Sequence, residues 1–198
     1  MNIAFFASHR GSNMQAVIDA VNAGRLNARA CVVISNNGDS ETLEKAQQGG
    51  IPNYHLSSKT HPDPGKLDDE ILNVLERHRT DWIVLAGYMK KLGPQVLQKY
   101  KGRIINIHPS LLPKYGGRGM CGMAVHEAVI AAGEKETGVT IHLVDEEYDH
   151  GEILAQSTVP ILPDDTAESL SRRVLDREHV FLVETLERIA RGEISLKS

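Results

Sequence analysis

An amide, an imidazole and a hydroxyl follow one another in Asn106-Ile107-His108-Pro109-Ser110-Leu111-Leu112-Pro113. The preceding Gly102-Arg103-Ile104-Ile105-Asn106-Ile107 reads as a short buried strand, so Asn106 and His108, two residues apart, point to the same side of it. An amide N–H beside a titratable ring suits a reaction through a tetrahedral oxyanion. One group holds the developing negative charge and the other moves a proton. A histidine at a strand end is more commonly a packed structural residue, so the case rests on the rest of the chain.

Two further groups could join them. Gly11-Ser12-Asn13, at a strand-to-helix turn, offers helix N-terminal N–H groups and a hydroxyl, which suit a phosphate; the alternative is that Ser12 merely caps the helix. The turn is neither a G-x-G-x-x-G fingerprint nor a P-loop, which disfavours a dinucleotide or nucleoside triphosphate. Asp149 lies in the acidic turn Asp145 to Gly151, where a solvated surface carboxylate is the ordinary reading. Close to His108 its charge would raise the imidazole pKa, whereas burial alone would lower it. The nine histidines form no H-E-x-x-H or H-x-H and have no cysteine pair to complete a ligand set, so no metal is expected. His126 and His142 are read as packing residues or supports for the reacting groups.

The elements that must position these residues alternate as βαβ. Asn2 to Ala7 and Ala30 to Ser35 are apolar runs. A helical pattern through Met14, Val17, Ile18 and Val21 ends near Gly24, a second helix covers Glu41 to Gln48, and Tyr54-His55-Leu56 is a third short strand. Such alternation implies a parallel sheet with right-handed crossovers. Ser57 to Gly65 reads as a polar loop before a helix marked by Leu67, Ile71, Leu72 and Leu75. Trp82 to Ala86, the most apolar strand, ends at Gly87-Tyr88-Met89-Lys90-Lys91-Leu92, a binding-loop candidate at a strand's carboxyl end, with a short helix from Pro94. Beyond Pro113, a segment with glycines at 116, 117, 119 and 122 can bring backbone close to a ligand. A helix through Val125, Ala128, Val129 and Ala132 follows, then strands Val139 to Val144 and Ile153 to Val159 as a mixed edge, and a long amphipathic helix from Asp164 to near Gly192.

A chain of 198 residues supports one substantial core, so a single domain over 1–198 is expected. A net charge of −4 with 5% aromatic residues provides neither a basic field nor stacking platforms, which argues against nucleic acid as a ligand. No segment approaches a membrane span or a signal peptide, and the two cysteines have neither metal-ligand spacing nor disulfide density; a cytoplasmic location is expected.

Taken together, Gly11-Ser12-Asn13, Leu85-Ala86-Gly87-Tyr88-Met89, Asn106 through Tyr115, Gly138-Val139-Thr140-Ile141-His142 and Asp149-His150-Gly151 resemble the folate-dependent glycinamide ribonucleotide formyltransferases over nearly the whole chain. The resemblance implies a Rossmann-like formyltransferase fold, with a phosphate-binding half at about residues 1–100 and a catalytic and folate-binding half at about 101–198. It implies Asn106, His108 and Asp149 as the catalytic set; Gly11, Ser12 and Asn13 on the substrate phosphate; and Glu178 on the ribose. Met89, Lys90, Lys91, Leu92, Asn106 and Val144 would line the folate pocket. The co-substrate would be 10-formyltetrahydrofolate and the acceptor glycinamide ribonucleotide, in purine biosynthesis, without metal; a homodimer is compatible with it. A cis bond at Leu112-Pro113 is also implied.

The chain departs from the common pattern in three places. Ser8-His9-Arg10 replaces a more glycine-rich start to the phosphate turn. Pro64 stands where a basic residue is frequent, with Lys66 as its substitute in the folate site. The glycine-rich segment between Tyr115 and His126 is longer and lacks the proline after Tyr115. Alternatives are formylation of another amine, hydrolysis of formyltetrahydrofolate, or a non-catalytic nucleotide-binding module.

Overall fold

The computed structural model describes residues 1–194. Five strands, β1 (Asn2–Phe6), β2 (Arg29–Ser35), β3 (Asn53–His55), β4 (Trp82–Leu85) and β5 (Ile104–His108), alternate with helices α1 (Ser12–Asn22), α2 (Glu41–Gln48), α3 (Pro64–Arg77) and α4 (Pro94–Lys99). Helix α5 (Met123–Ala131), strands β6 (Glu136–Leu143) and β7 (Ile153–Pro160) and the long α6 (Ala167–Ala190) complete the order. The seven strands form one sheet ordered β3-β2-β1-β4-β5-β6-β7. The first five are parallel, whereas β6 runs antiparallel to β5 and β7 antiparallel to β6. This is the Rossmann-like, mostly parallel fold with a mixed edge that the alternation and the resemblance imply.

Period-two alternation on β1 explains why both sheet faces are covered. Ile3 and Phe5 join a core with Met14, Val17, Leu170, Val174 and Leu182, beneath α1 and α6. Ala4 and Phe6 face the opposite cluster with Ile71, Val74 and Val96, beneath α3 and α4. Among the described residues no helix is long and apolar enough to cross a membrane.

Local chemistry sets the element ends. Thr166 caps α6: its side chain accepts from Ser169 N–H while the Ser169 hydroxyl accepts from Thr166 N–H, a reciprocal capping box. Helix α3 begins at Pro64, inside the stretch read as loop. Asp63 accepts from the N–H groups of Gly65 and Lys66, and proline at the first helical position has no N–H to lose. Strand β5 likewise runs to His108 rather than stopping at Ile107, because His108 pairs with Thr140 of β6.

The strand order reverses between β1 and β4, and the loops leaving their carboxyl ends meet there, where α/β sheets bind ligands. Ser8 ties three loops together. Its N–H donates to Gly87 O at 3.0 Å, its hydroxyl donates to Asn36 Oδ1 at 2.5 Å, and Met89 N–H donates to that hydroxyl at 2.8 Å. Beside this junction Asp68 of α3 caps α4, accepting from the N–H groups of Gln95 and Val96. A β-carbon at Gly93 would collide with the Asp68 carboxylate, so glycine is required for that close approach.

Candidate active site

Asn106 and His108 sit on one face of β5, and the antiparallel register places His142 opposite Asn106 and Thr140 opposite His108. Asp149, from the turn between β6 and β7, reaches into this group. Its Oδ2 is 3.5 Å from His108 Nδ1 and its Oδ1 is 3.5 Å from His142 Nε2. Gly117 N–H donates to Oδ2 at 2.9 Å, and the Asn106 amide donates to Oδ1 at a longer 3.4 Å. Asp149 has a left-handed φ of 56°, which aspartate tolerates better than most residues. At Gly151 a β-carbon would strike the Leu143 carbonyl, so the turn closes this tightly only with glycine there.

The hydrogens on the two rings follow from their partners, because a carbonyl can only accept. His108 Nε2 donates to Tyr115 O at 2.8 Å, leaving Nδ1 facing Asp149. His142 Nδ1 donates to Leu143 O at 2.7 Å, leaving Nε2 to accept from Asn106 Nδ2 at 3.1 Å. Around the turn, Thr140 Oγ1 donates to Ser110 O at 2.6 Å and accepts from Leu112 N–H at 3.1 Å and Gln156 Nε2 at 2.9 Å. The Leu112-Pro113 bond is cis, as the resemblance implies.

Of the two opposed influences on His108, burial wins. The ring is only 4% exposed, and desolvation pushes its pKa below the ordinary histidine range although the Asp149 charge and the Tyr115 carbonyl oppose it. The resting ring is therefore neutral at neutral pH, rather than held protonated by Asp149. Burial pushes the Asp149 carboxyl upward, but the two imidazole rings beside it, His142 and His108, and the Gly117 N–H together carry it below the ordinary range. Asp149 thus stays ionised behind a ring that can accept a proton.

Beyond the carboxyl end of β1, Gly11 occupies the N-cap of α1 with φ 64°, and no side chain caps the helix. Ser12 is the first helical residue and does not fill the capping role open to it, so the positive end of α1 is not satisfied by its own hydroxyl. The turn is braced from α2: Thr42 N–H and Thr42 Oγ1 both donate to His9 O, at 3.1 and 3.0 Å. Asn13 Nδ2 donates to Glu178 Oε2 of α6 at 2.6 Å, while Asn13 Oδ1 is buried without a partner. Burial pushes the Glu178 pKa up to about 7, with the Asn13 hydrogen bond opposing.

The Gly87 to Leu92 loop divides. Met89, Lys90 and Lys91 are exposed, and Lys91 Nζ donates to Glu146 O at 2.5 Å while lying 5.1 Å from the Tyr148 ring centroid. This links the loop to the turn that carries Asp149. Leu92 points the other way: it is 6% exposed and packs into the core with Leu85 and Val96, so its side chain does not line the loop's exposed face. Val144 is half-buried against the same core. Lys66 is exposed on the first turn of α3, two residues before the Asp68 that caps α4. Among the described residues no group of three or more His, Cys, Asp or Glu side chains is arranged to hold a metal.

Sequence reading undervalued His142, Tyr115, Ser8 and Thr42. For His142 a signal existed, since strand alternation puts Thr140 and His142 on one face. The role of the Tyr115 carbonyl had none, because any residue type supplies a carbonyl.

A formyl transferase family model matches residues 1–186. The chain is 40% identical over 97% of its length to phosphoribosylglycinamide formyltransferase, chloroplastic, from Vigna unguiculata, and spans 62% of that relative. It is 39% identical over 98% of its length to phosphoribosylglycinamide formyltransferase from Haemophilus influenzae, spanning 90% of it. The crystal structure of glycinamide ribonucleotide transformylase 1 from Symbiobacterium toebii superposes with a TM-score of 0.92 at 33% identity, covering 100% of this chain and 91% of that one.

Proposed function

The chain belongs to the formyl transferase family, and on that premise we propose that it transfers the formyl group of 10-formyltetrahydrofolate to the amine of glycinamide ribonucleotide. The observation that carries this reading is the convergence of Asn106, His108 and His142 on one carboxylate, Asp149, at the sheet's carboxyl edge. The loop from Met89 to Leu92 supplies the adjoining wall for the folate, with Val144 and Lys66 beside it. Gly11, Ser12 and Asn13 take the phosphate, and Glu178 takes a ribose hydroxyl.

Attack of the substrate amine on the formyl carbon gives a tetrahedral intermediate, with negative charge on the former carbonyl oxygen and an extra proton on nitrogen. The Asn106 amide, whose contact with Asp149 is a long 3.4 Å, turns a hydrogen to the oxyanion, and the His108 ring adds positive charge beside it once it is protonated. Asp149 accepts the amine's proton and, with His108, relays it to N10 as the carbon–N10 bond breaks. Protonation at His108 Nδ1 creates an ion pair with Asp149, which makes the buried cation tolerable for the duration of the step. No covalent enzyme intermediate is needed.

The test is formyl transfer from 10-formyltetrahydrofolate with glycinamide ribonucleotide present or omitted, following tetrahydrofolate and formylated nucleotide together. Equal release of both is the expected result. Release without the nucleotide would mean hydrolysis, and no release with this acceptor would replace it with another amine or a binding role.

A further inference from the structure

Tyr115 combines three features. It is a non-glycine residue with a left-handed φ of 55°, a conformation in which the β-carbon crowds the backbone. Its main-chain oxygen accepts the His108 Nε2 hydrogen at 2.8 Å. Its phenol donates to Glu134 Oε1 at 2.9 Å, and Lys114 Nζ donates to the same oxygen at 2.9 Å. Glu134 lies just beyond α5, so an element remote from the β5 turn grips the residue that holds the ring. The Lys114 ammonium and the Tyr115 hydroxyl hold the Glu134 carboxyl below the ordinary glutamate range, so the grip is charged at neutral pH.

We propose that Glu134, with Lys114, is a positioning residue for His108. By gripping the Tyr115 phenol, it keeps the Tyr115 carbonyl on Nε2 and makes Nδ1, which faces Asp149, the nitrogen that gains and loses the proton. The inference deepens the formyl-transfer reading and rests on His108 as its proton carrier. The groups facing the ring are Asp149 from the β6–β7 turn, the Tyr115 carbonyl, His142 from β6 and His126 from α5. Of these, the Tyr115 carbonyl is the partner of Nε2. Without it the neutral ring favours a hydrogen on Nδ1 donated to Asp149, which moves the free lone pair to the wrong nitrogen.

The experiment follows the ring nitrogens of histidine-labelled, ligand-free protein by long-range proton–nitrogen correlation across pH, in the parent and in Tyr115→Phe, Glu134→Ala and Glu134→Gln. In Tyr115→Phe and Glu134→Ala the His108 hydrogen shifts toward Nδ1, and the ring's titration midpoint falls, since the Tyr115 carbonyl supports the charged form. Turnover falls roughly 10- to 100-fold with little change in nucleotide KM, the size of effect that a misplaced reacting group produces. Glu134→Gln keeps an oxygen for the phenol and recovers most of both readouts. Unchanged His108 nitrogens in Tyr115→Phe overturn the proposal, and that variant removes a single oxygen, so it stands even if Glu134→Ala does not fold. The spectra need no substrate, so an inactive parent protein would count against formyl transfer while leaving this result readable.

Discussion

Replacing Glu178 by glutamine separates what this carboxylate costs the fold from what it does for a ligand. Glu178 is 8% exposed, packed between α6 and α1, with Asn13 as its hydrogen-bond partner. An ordinary glutamate titrates near 4.5 and burial pushes Glu178 to about 7; the difference corresponds to roughly 3 kcal/mol. A raised acid pKa means that the folded state holds its proton longer than the unfolded chain, so between those two values stability falls as pH rises. Below the window both states are protonated and the group is neutral to stability; above it the full cost is present. Glutamine is uncharged throughout and its amide oxygen can still accept from Asn13. The stability of Glu178→Gln relative to the parent therefore climbs with pH by up to about 3 kcal/mol and then levels off above about pH 8. Urea denaturation of both proteins at closely spaced pH values measures it, with unchanged m-values as the check on two-state behaviour. Parallel stability curves across the window would refute the buried-carboxylate argument. A rise in nucleotide KM in the more stable variant would identify the charge as retained for binding.

His108→Ala should lower turnover by roughly 100- to 10,000-fold, the usual contribution of a positioned acid–base group, while calorimetric binding of the nucleotide is preserved. Asp149→Asn removes the charge that opposes burial at His108, so the ring's titration midpoint, read by NMR, should fall further below the ordinary histidine range, with turnover lost alongside. Gly11→Ala would put a β-carbon 2.7 Å from Thr42 Oγ1 at a residue with φ +64°. It should destabilise the protein by more than about 1 kcal/mol in urea melts and weaken nucleotide binding before it affects the chemical step.

By itself the sequence determined the alternation of elements, because βαβ patterning, glycine stops and apolar runs are local features. It also placed Asn106 and His108 on one side of β5 through strand geometry alone, and the multi-block resemblance carried the family. Element ends were less legible: the Asp63-Pro64 start of α3 was hidden among turn-forming residues, and β5 extends to His108 only because β6 supplies a partner. Tertiary structure decided the rest, because it depends on groups far apart in the chain. Asn13 meets Glu178 across 165 residues, and their burial, not the residue types, sets the raised glutamate pKa. Asp149 becomes more than a surface carboxylate because the β6–β7 turn folds back on His108 and His142. The sign of the His108 shift was open in the sequence, since charge and desolvation oppose each other and only the enclosed geometry determines which is larger.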